Sequence, residues 1–152
     1  MTTPLDRLTA LGLSLPDAPM PAANYVPYVF TGNLCFVSGQ ISAGPQGLIT
    51  GKLGADLDVD DGYAAARACA LALMAQVNAA AGDLSKVTRV VKLTGFVNST
   101  PDFTDQPKVI NGASDLLAEV FGDAGRHARA AVSAGALPLG VAVEIEAVFE
   151  LG

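Results

Sequence analysis

Histidine and cysteine are almost missing from this sequence, with one of the first and two of the second in 152 residues. Transition-metal sites need clustered His, Cys or carboxylate ligands at defined spacing. One histidine, His127, and two distant cysteines therefore exclude such a site. Cys35 and Cys69 also make a poor disulfide framework. The first falls in an apolar strand pattern and the second in an alanine-rich helical one, so both read as small buried hydrophobes. Positive charge is scarce too. Nine Lys and Arg against fifteen Asp and Glu give a formal net charge of −6. No basic stripe exists to neutralise a phosphate backbone, and nucleic acid is not an expected partner. Residues 64–77 are the most apolar run, but Arg67 and Gln76 interrupt it and it falls short of the ~20 residues of a membrane helix. No membrane association is expected. The start, MTTPLDR, lacks the basic opening and apolar stretch of a signal peptide, which leaves the cytoplasm as the expected location. Residues 44–54 are rich in glycine, yet the lysine, serine and helix of a phosphate loop do not follow.

What is present points to one folded domain. Hydrophobic residues make up 51% and charged residues 16%, a balance opposite to that of disordered chains. A chain of this length buries roughly two-thirds of its unfolded surface. The apolar excess points to surface covered by a partner subunit. Leu5, Leu8, Leu11 and Leu13 predict a short amphipathic helix over 5–13 after Pro4, and Pro16, Pro19 and Pro21 predict a stiff extended linker. Residues 28–30 and 34–37, about the turn Thr31-Gly32-Asn33, read as a hairpin. Its second strand is apolar on both faces, so both sides of the sheet are expected to be covered. The 44–54 loop has room for one short strand.

Asp60 and Asp61 open the strongest helix, over 60–81, which Gly82 stops. Residues 87–97 form a β-branched strand. A second long helix runs over 105–121 with Pro107 in its first turn. Two strands close the chain, over 128–134 and 141–151. On the last, Val141, Val143, Ile145, Ala147 and Phe149 point one way while Glu144, Glu146 and Glu150 point the other. On the strand before it, Arg129, Ala131 and Ser133 share a face. The order implies an α+β domain with helices segregated to one side of a sheet. If the other side is also apolar, a second copy of the chain is its natural cover.

Arg129 stands out chemically. An arginine inside an Ala-Arg-Ala-Ala-Val strand is costly to bury unless it meets an anion, and its planar fork suits a carboxylate. The competing reading is a structural salt bridge to Glu144, Glu146 or Glu150. Glu144 and Glu146 themselves read equally as the solvated face of an edge strand. Arg126 is the second choice of anion ligand. His127, set between Arg126 and Arg129, reads as a loop histidine, since no serine lies in a nucleophile-elbow context.

Ser38-Gly39-Gln40-Ile41, Arg129-Ala130-Ala131-Val132, and Leu137-Pro138 followed by Val143-Glu144-Ile145-Glu146-Ala147 resemble the Rid (YjgF-like) family of reactive-intermediate deaminases. The resemblance runs from about Tyr25 to the C-terminus, so residues 1–24 read as an N-terminal helix and linker added to a domain over 25–152. It implies a chorismate-mutase-like mixed β-sheet with two helices on one face. It also implies a homotrimer whose sheets form a central barrel with three clefts between subunits. Active members hydrolyse 2-imino or 2-enamino acids to 2-keto acids and ammonia without cofactor or metal. By resemblance Arg129 clamps the substrate carboxylate, Glu144 activates water, and the Ala131 carbonyl holds that water. Tyr25, Ser38, Gly39 and Asn111 match substrate-contacting positions. The family usually has cysteine where this chain has Ala131, and the segment around Pro101-Asp102-Phe103 looks like a less-studied subgroup. The alternative is a non-catalytic, small-carboxylate-binding trimer with a regulatory role. A ribonuclease is disfavoured by the acidic charge and the single histidine.

Overall fold

The computed structural model describes residues 2–18 and 23–152. Pro19 and Pro21 of the expected linker lie outside the described residues, and Pro16 lies in an irregular stretch. Helix α1 spans Pro4–Ala10 and opens on a capping box in which Thr3 and Asp6 satisfy each other's backbone amides,. It ends sooner than the leucine spacing predicts, because the chain turns at Gly12 with φ 75°,. Helix α2 spans Val59–Ala81, with Asp58 and Asp61 as a second capping box and Gly82 left-handed at φ 84°,. Helix α3 spans Gln106–Phe121 with Pro107 in its first turn.

Five strands form one sheet: β1 Tyr28–Thr31, β2 Leu34–Ile41, β5 Val87–Asn98, β6 Ala128–Ala134 and β7 Val143–Leu151. Two short strands, β3 Ala43–Gly44 and β4 Gly47–Leu48, make a separate hairpin within the glycine-rich loop. The sheet order is β1-β2-β7-β5-β6. Within this sheet, among the described residues, only β5 and β6 pair in parallel. A parallel pair needs a crossover, and α3 supplies it. β7 starts at Val143 rather than at Val141, because Val141 bridges Thr50 and the Ala142 amide donates to the Ile49 carbonyl.

Cys35, Leu93, Val97, Val143, Ile145 and Phe149 from the sheet, Cys69, Leu73 and Met74 from α2, and Ile110 and Leu117 from α3 form one fully buried cluster. The two long helices pack closely enough that a Cβ on Gly112 would collide with the Tyr63 carbonyl. α2 has 23 residues and is long and apolar enough to cross a membrane by length and composition alone, contrary to the expectation from sequence. In the fold its apolar side is spent on the core. α1 is the short helix expected from the leucine spacing, beside the two long ones. Its Leu8 is 1% exposed within the same cluster, and Arg7 Nη1 donates to the Val120 carbonyl at 3.0 Å, one of the acceptors left open at the end of α3.

The other face of the sheet is the one expected to meet a second copy of the chain. Within one protomer it is not covered: Val29, Phe36 and Val132 stand 54%, 42% and 44% exposed. The glutamates of the last strand are also not on a sheet edge, since β7 is the central strand.

Because Leu8 belongs to the core, Leu8→Ala should lower the stability of the whole domain by about 2–5 kcal/mol. Urea unfolding followed by far-UV circular dichroism checks this. A separately folding N-terminal segment would instead leave the midpoint in place.

Candidate functional site

The residues singled out from sequence fall into two groups, at opposite sides of the sheet. The first is built around β2 and β7. The β2–β7 ladder shifts register between Val37 and Gln40, so Ser38 and Gly39 form a bulge. Glu144 lies in register with Ile41 on β2 and Phe96 on β5, on the face the helices leave open. Its carboxylate rests where a side chain on Gly39 would be, so any larger residue there would displace it. The bulge is braced from behind. Gln76 of α2, 1% exposed, donates to Gln40 Oε1 at 3.4 Å, and Gln40 Nε2 donates to the Ser38 carbonyl at 2.9 Å. The Ser38 hydroxyl donates to the Val26 carbonyl at 2.9 Å, which ties the segment bearing exposed Tyr25 to the bulge. Burial, aided by the neighbouring Glu146 charge, raises the Glu144 carboxyl above its ordinary value. A carboxyl so placed holds and releases a proton closer to neutrality.

The second group sits at the β6 edge. Arg129 pairs in register with Leu93, which pairs with Ala147, both buried beneath the helices. It therefore lies on the face opposite Glu144, and the salt-bridge reading of Arg129 is overturned. Among the described residues the one ion pair is Lys108–Asp105 at 3.7 Å. Arg129 instead donates from Nη1 to Ser114 Oγ at 3.1 Å and from Nη2 to the Pro107 carbonyl at 3.2 Å. Beside it a shallow cleft of about 320 Å³ is lined by Asn111, Ser114, Asp115, Arg126, His127 and Arg129, among others. Ala131 pairs with Gly95 two residues further along β6.

His127 does more than a loop histidine. Its Nδ1 lies 2.6 Å from the Gly125 carbonyl and its Nε2 lies 2.9 Å from Ser114 Oγ. A carbonyl only accepts, so Nδ1 carries the proton of the neutral ring. Burial lowers the His127 pKa from 6.5, and the charge of Arg129 lowers it further against the opposing pull of the Gly125 carbonyl. Ser114 was not visible from sequence, because its contacts to His127 and Arg129 arise only when α3 folds against β6.

The family described as "YjgF/chorismate mutase-like, putative endoribonuclease" matches residues 5–151. The chain belongs to this YjgF-like family. The match includes α1, which the sequence had set apart from the family core. Protein TCP17 of Trypanosoma cruzi, a relative, is 56% identical over 147 residues, which cover 95% of this chain and 92% of that protein. A crystal structure of a protein of unknown function from Agrobacterium tumefaciens is 49% identical, with a TM-score of 0.91 over 99% of this chain and 94% of that one. The E. coli protein TdcF, solved with bound serine, is 31% identical, with a TM-score of 0.62 over 89% and 94% of the two chains. The chorismate-mutase-like fold expected from the motifs is thus the family's fold.

The His127 environment sets a pH dependence. A ring whose folded pKa lies below its unfolded value contributes stability that is fully present above pH 6.5. That contribution is lost as the pH falls toward the folded pKa, because the unfolded chain binds the proton first. The urea midpoint should therefore fall more steeply between pH 7 and pH 5 for the wild type than for His127→Asn. Parallel slopes would mean that the ring is unperturbed.

Proposed function

We propose that the protein hydrolyses 2-imino or 2-enamino acids to 2-keto acids and ammonia, in clefts formed between the subunits of a homotrimer. The observation that carries this reading is the Arg129 guanidinium. It opens on the β6–α3 cleft with no carboxylate among the described residues paired to it and with N–H donors to spare. A small carboxylate is the ligand its planar fork fits. Serine bound to TdcF carries such a group, which supports the choice.

The chemistry asks little beyond positioning. A protonated imine is already electrophilic at C2, so anchoring its carboxylate and aiming one water at C2 account for the rate. Glu144 takes a proton from the water as its oxygen bonds to C2. The Ala131 carbonyl accepts the water's other hydrogen, a role that does not need the cysteine side chain usual at this position. The proton on Glu144 then passes to nitrogen, the C–N bond breaks as the C2 hydroxyl becomes the carbonyl and gives its hydrogen back to Glu144, and ammonia leaves the keto acid behind. No cofactor enters the scheme.

A single protomer keeps Glu144, Ser38 and Gly39 apart from Arg129 and Asn111. Assembly resolves this when the β2–β7 region of one copy meets the β6–α3 edge of the next. The open apolar face, with Phe36 and Val132 exposed and Phe96 and Val148 between them in the sheet, supports burial against further copies. The word endoribonuclease in the family description fits poorly with a net charge of −6 and one histidine.

Imines made by an amino-acid oxidase can be trapped with semicarbazide, and the enzyme should suppress the trapping. Arg129→Ala should lose roughly tenfold to a hundredfold in kcat/KM, since hydrogen bonds to charged groups contribute about 1.5–3 kcal/mol. Carboxylate binding without suppression would reassign the protein as a non-catalytic, regulatory binder. Light scattering should give three times the 15.4 kDa of one chain, and a monomer that turned over imines would sink the shared-cleft scheme.

A further inference from the structure

The contacts among Arg129, Ser114, His127 and Gly125 form one continuous chain: Arg129 Nη1 to Ser114 Oγ at 3.1 Å, Ser114 Oγ to His127 Nε2 at 2.9 Å, and His127 Nδ1 to the Gly125 carbonyl at 2.6 Å. Donor and acceptor roles in it are forced. The guanidinium can only donate and the carbonyl can only accept. With a neutral ring, the Ser114 oxygen accepts from Arg129 and its hydroxyl donates to Nε2. In this state the hydroxyl hydrogen is engaged by the ring and is unavailable to a ligand.

We propose that Ser114 and His127 are positioning residues of the anion site, which hold the Arg129 fork at the cleft and bind a carboxylate together with a proton on His127. The inference rests on Arg129 as the carboxylate ligand. Protonation reverses one link of the chain. Nε2–H then donates to Ser114 Oγ, which still has a lone pair for Arg129, and the Ser114 hydroxyl hydrogen is released to point into the cleft. One proton thus supplies a positive charge and a free donor at the same place.

The charges around the ring determine when this happens. Arg129 stands on β6, exposed Arg126 lines the cleft just before it, and Asp115 of α3 lines the cleft from the helix. Asp115 is engaged by the Tyr63 hydroxyl of α2 at 2.8 Å. Without a ligand, the two arginines oppose a third positive charge. A carboxylate laid against Arg129 offsets them and favours the imidazolium. Linkage is reciprocal, so whatever the anion adds to proton affinity, the proton adds to anion affinity. The proton balance is one H⁺ taken from solvent per carboxylate bound and one returned on its release.

The chain's single histidine makes the test direct. Pyruvate is titrated into the assembled wild-type protein at pH 7.5 and pH 5.5, with the imidazole nitrogens followed by ¹⁵N NMR. Binding should tighten by about fivefold or more at the lower pH, the lower end of usual site-to-site coupling. The ring should be an Nδ1–H tautomer when free and doubly protonated when bound. His127→Asn, which keeps a donor toward Gly125 but cannot titrate there, should bind pyruvate with no such pH dependence. Ser114→Ala should weaken binding and Ser114→Thr should restore it. If pyruvate binds equally at both pH values with an unchanged ring signal, while Arg129→Ala abolishes binding, the proton linkage is overturned and Arg129 keeps its role. If pyruvate binds neither wild type nor Arg129→Ala at either pH, the carboxylate site itself falls and the inference falls with it.

Discussion

A β-strand sends successive side chains to opposite faces, and in β7 this alternation divides the molecule. Val143, Ile145, Ala147 and Phe149 go beneath the helices, while Glu144, Glu146 and Glu150 go to the other side. Because β7 is the central strand, its register fixes that of β2 on one side and β5 on the other. A slip of one residue would drive three carboxylates into the core. The buried cluster, the place of Glu144 over Gly39 and the separation of Glu144 from Arg129 all follow from that one register.

The same alternation explains why the candidate site comes in halves. Glu144 is displayed on the uncovered face beside the β2 bulge, and Arg129 lies on the helix side at the β6 edge. Each half is prepared by its own neighbours. Gln40 and Gln76 brace the bulge through buried hydrogen bonds, and Ser114 and Pro107 hold the guanidinium from α3. Buried polar groups of this kind hold geometry only when every member finds a partner. A site assembled from two such halves can be rigid on both sides and still open to entry along the seam.

Much of this was legible in the residues, for local reasons. Acidic residues before an apolar run and a glycine after it bracketed α2, and β-branched residues marked β5. The Val-Glu-Ile-Glu alternation marked β7, although not its central position. Arg129 announced itself by standing in an otherwise small, apolar strand. Strand order, in contrast, is set by pairings between distant segments, so nothing in residues 141–151 distinguishes a central strand from an edge. The covered second face was inferred from β2, and one protomer alone leaves that face open. The Ser114–His127 contact was invisible for a related reason. A serine within a helix and a histidine in a loop carry no signal until the crossover places one above the other. The helix before the expected domain was legible from its leucines, although not that one of them, Leu8, ties it to the core.

Neither Cys35 nor Cys69 has any exposed surface, and burial raises the pKa of both thiols. A thiol must ionise and meet its reagent to react, so in the closed fold both are inert. Their modification by a thiol reagent therefore counts openings of the core rather than surface collisions. Cys69 reports on α2 where it lies against β7, and Cys35 reports on the β2 side of the sheet. Two clocks that ran at one rate would mean that helix and sheet open together; two rates would reveal which layer lets go first.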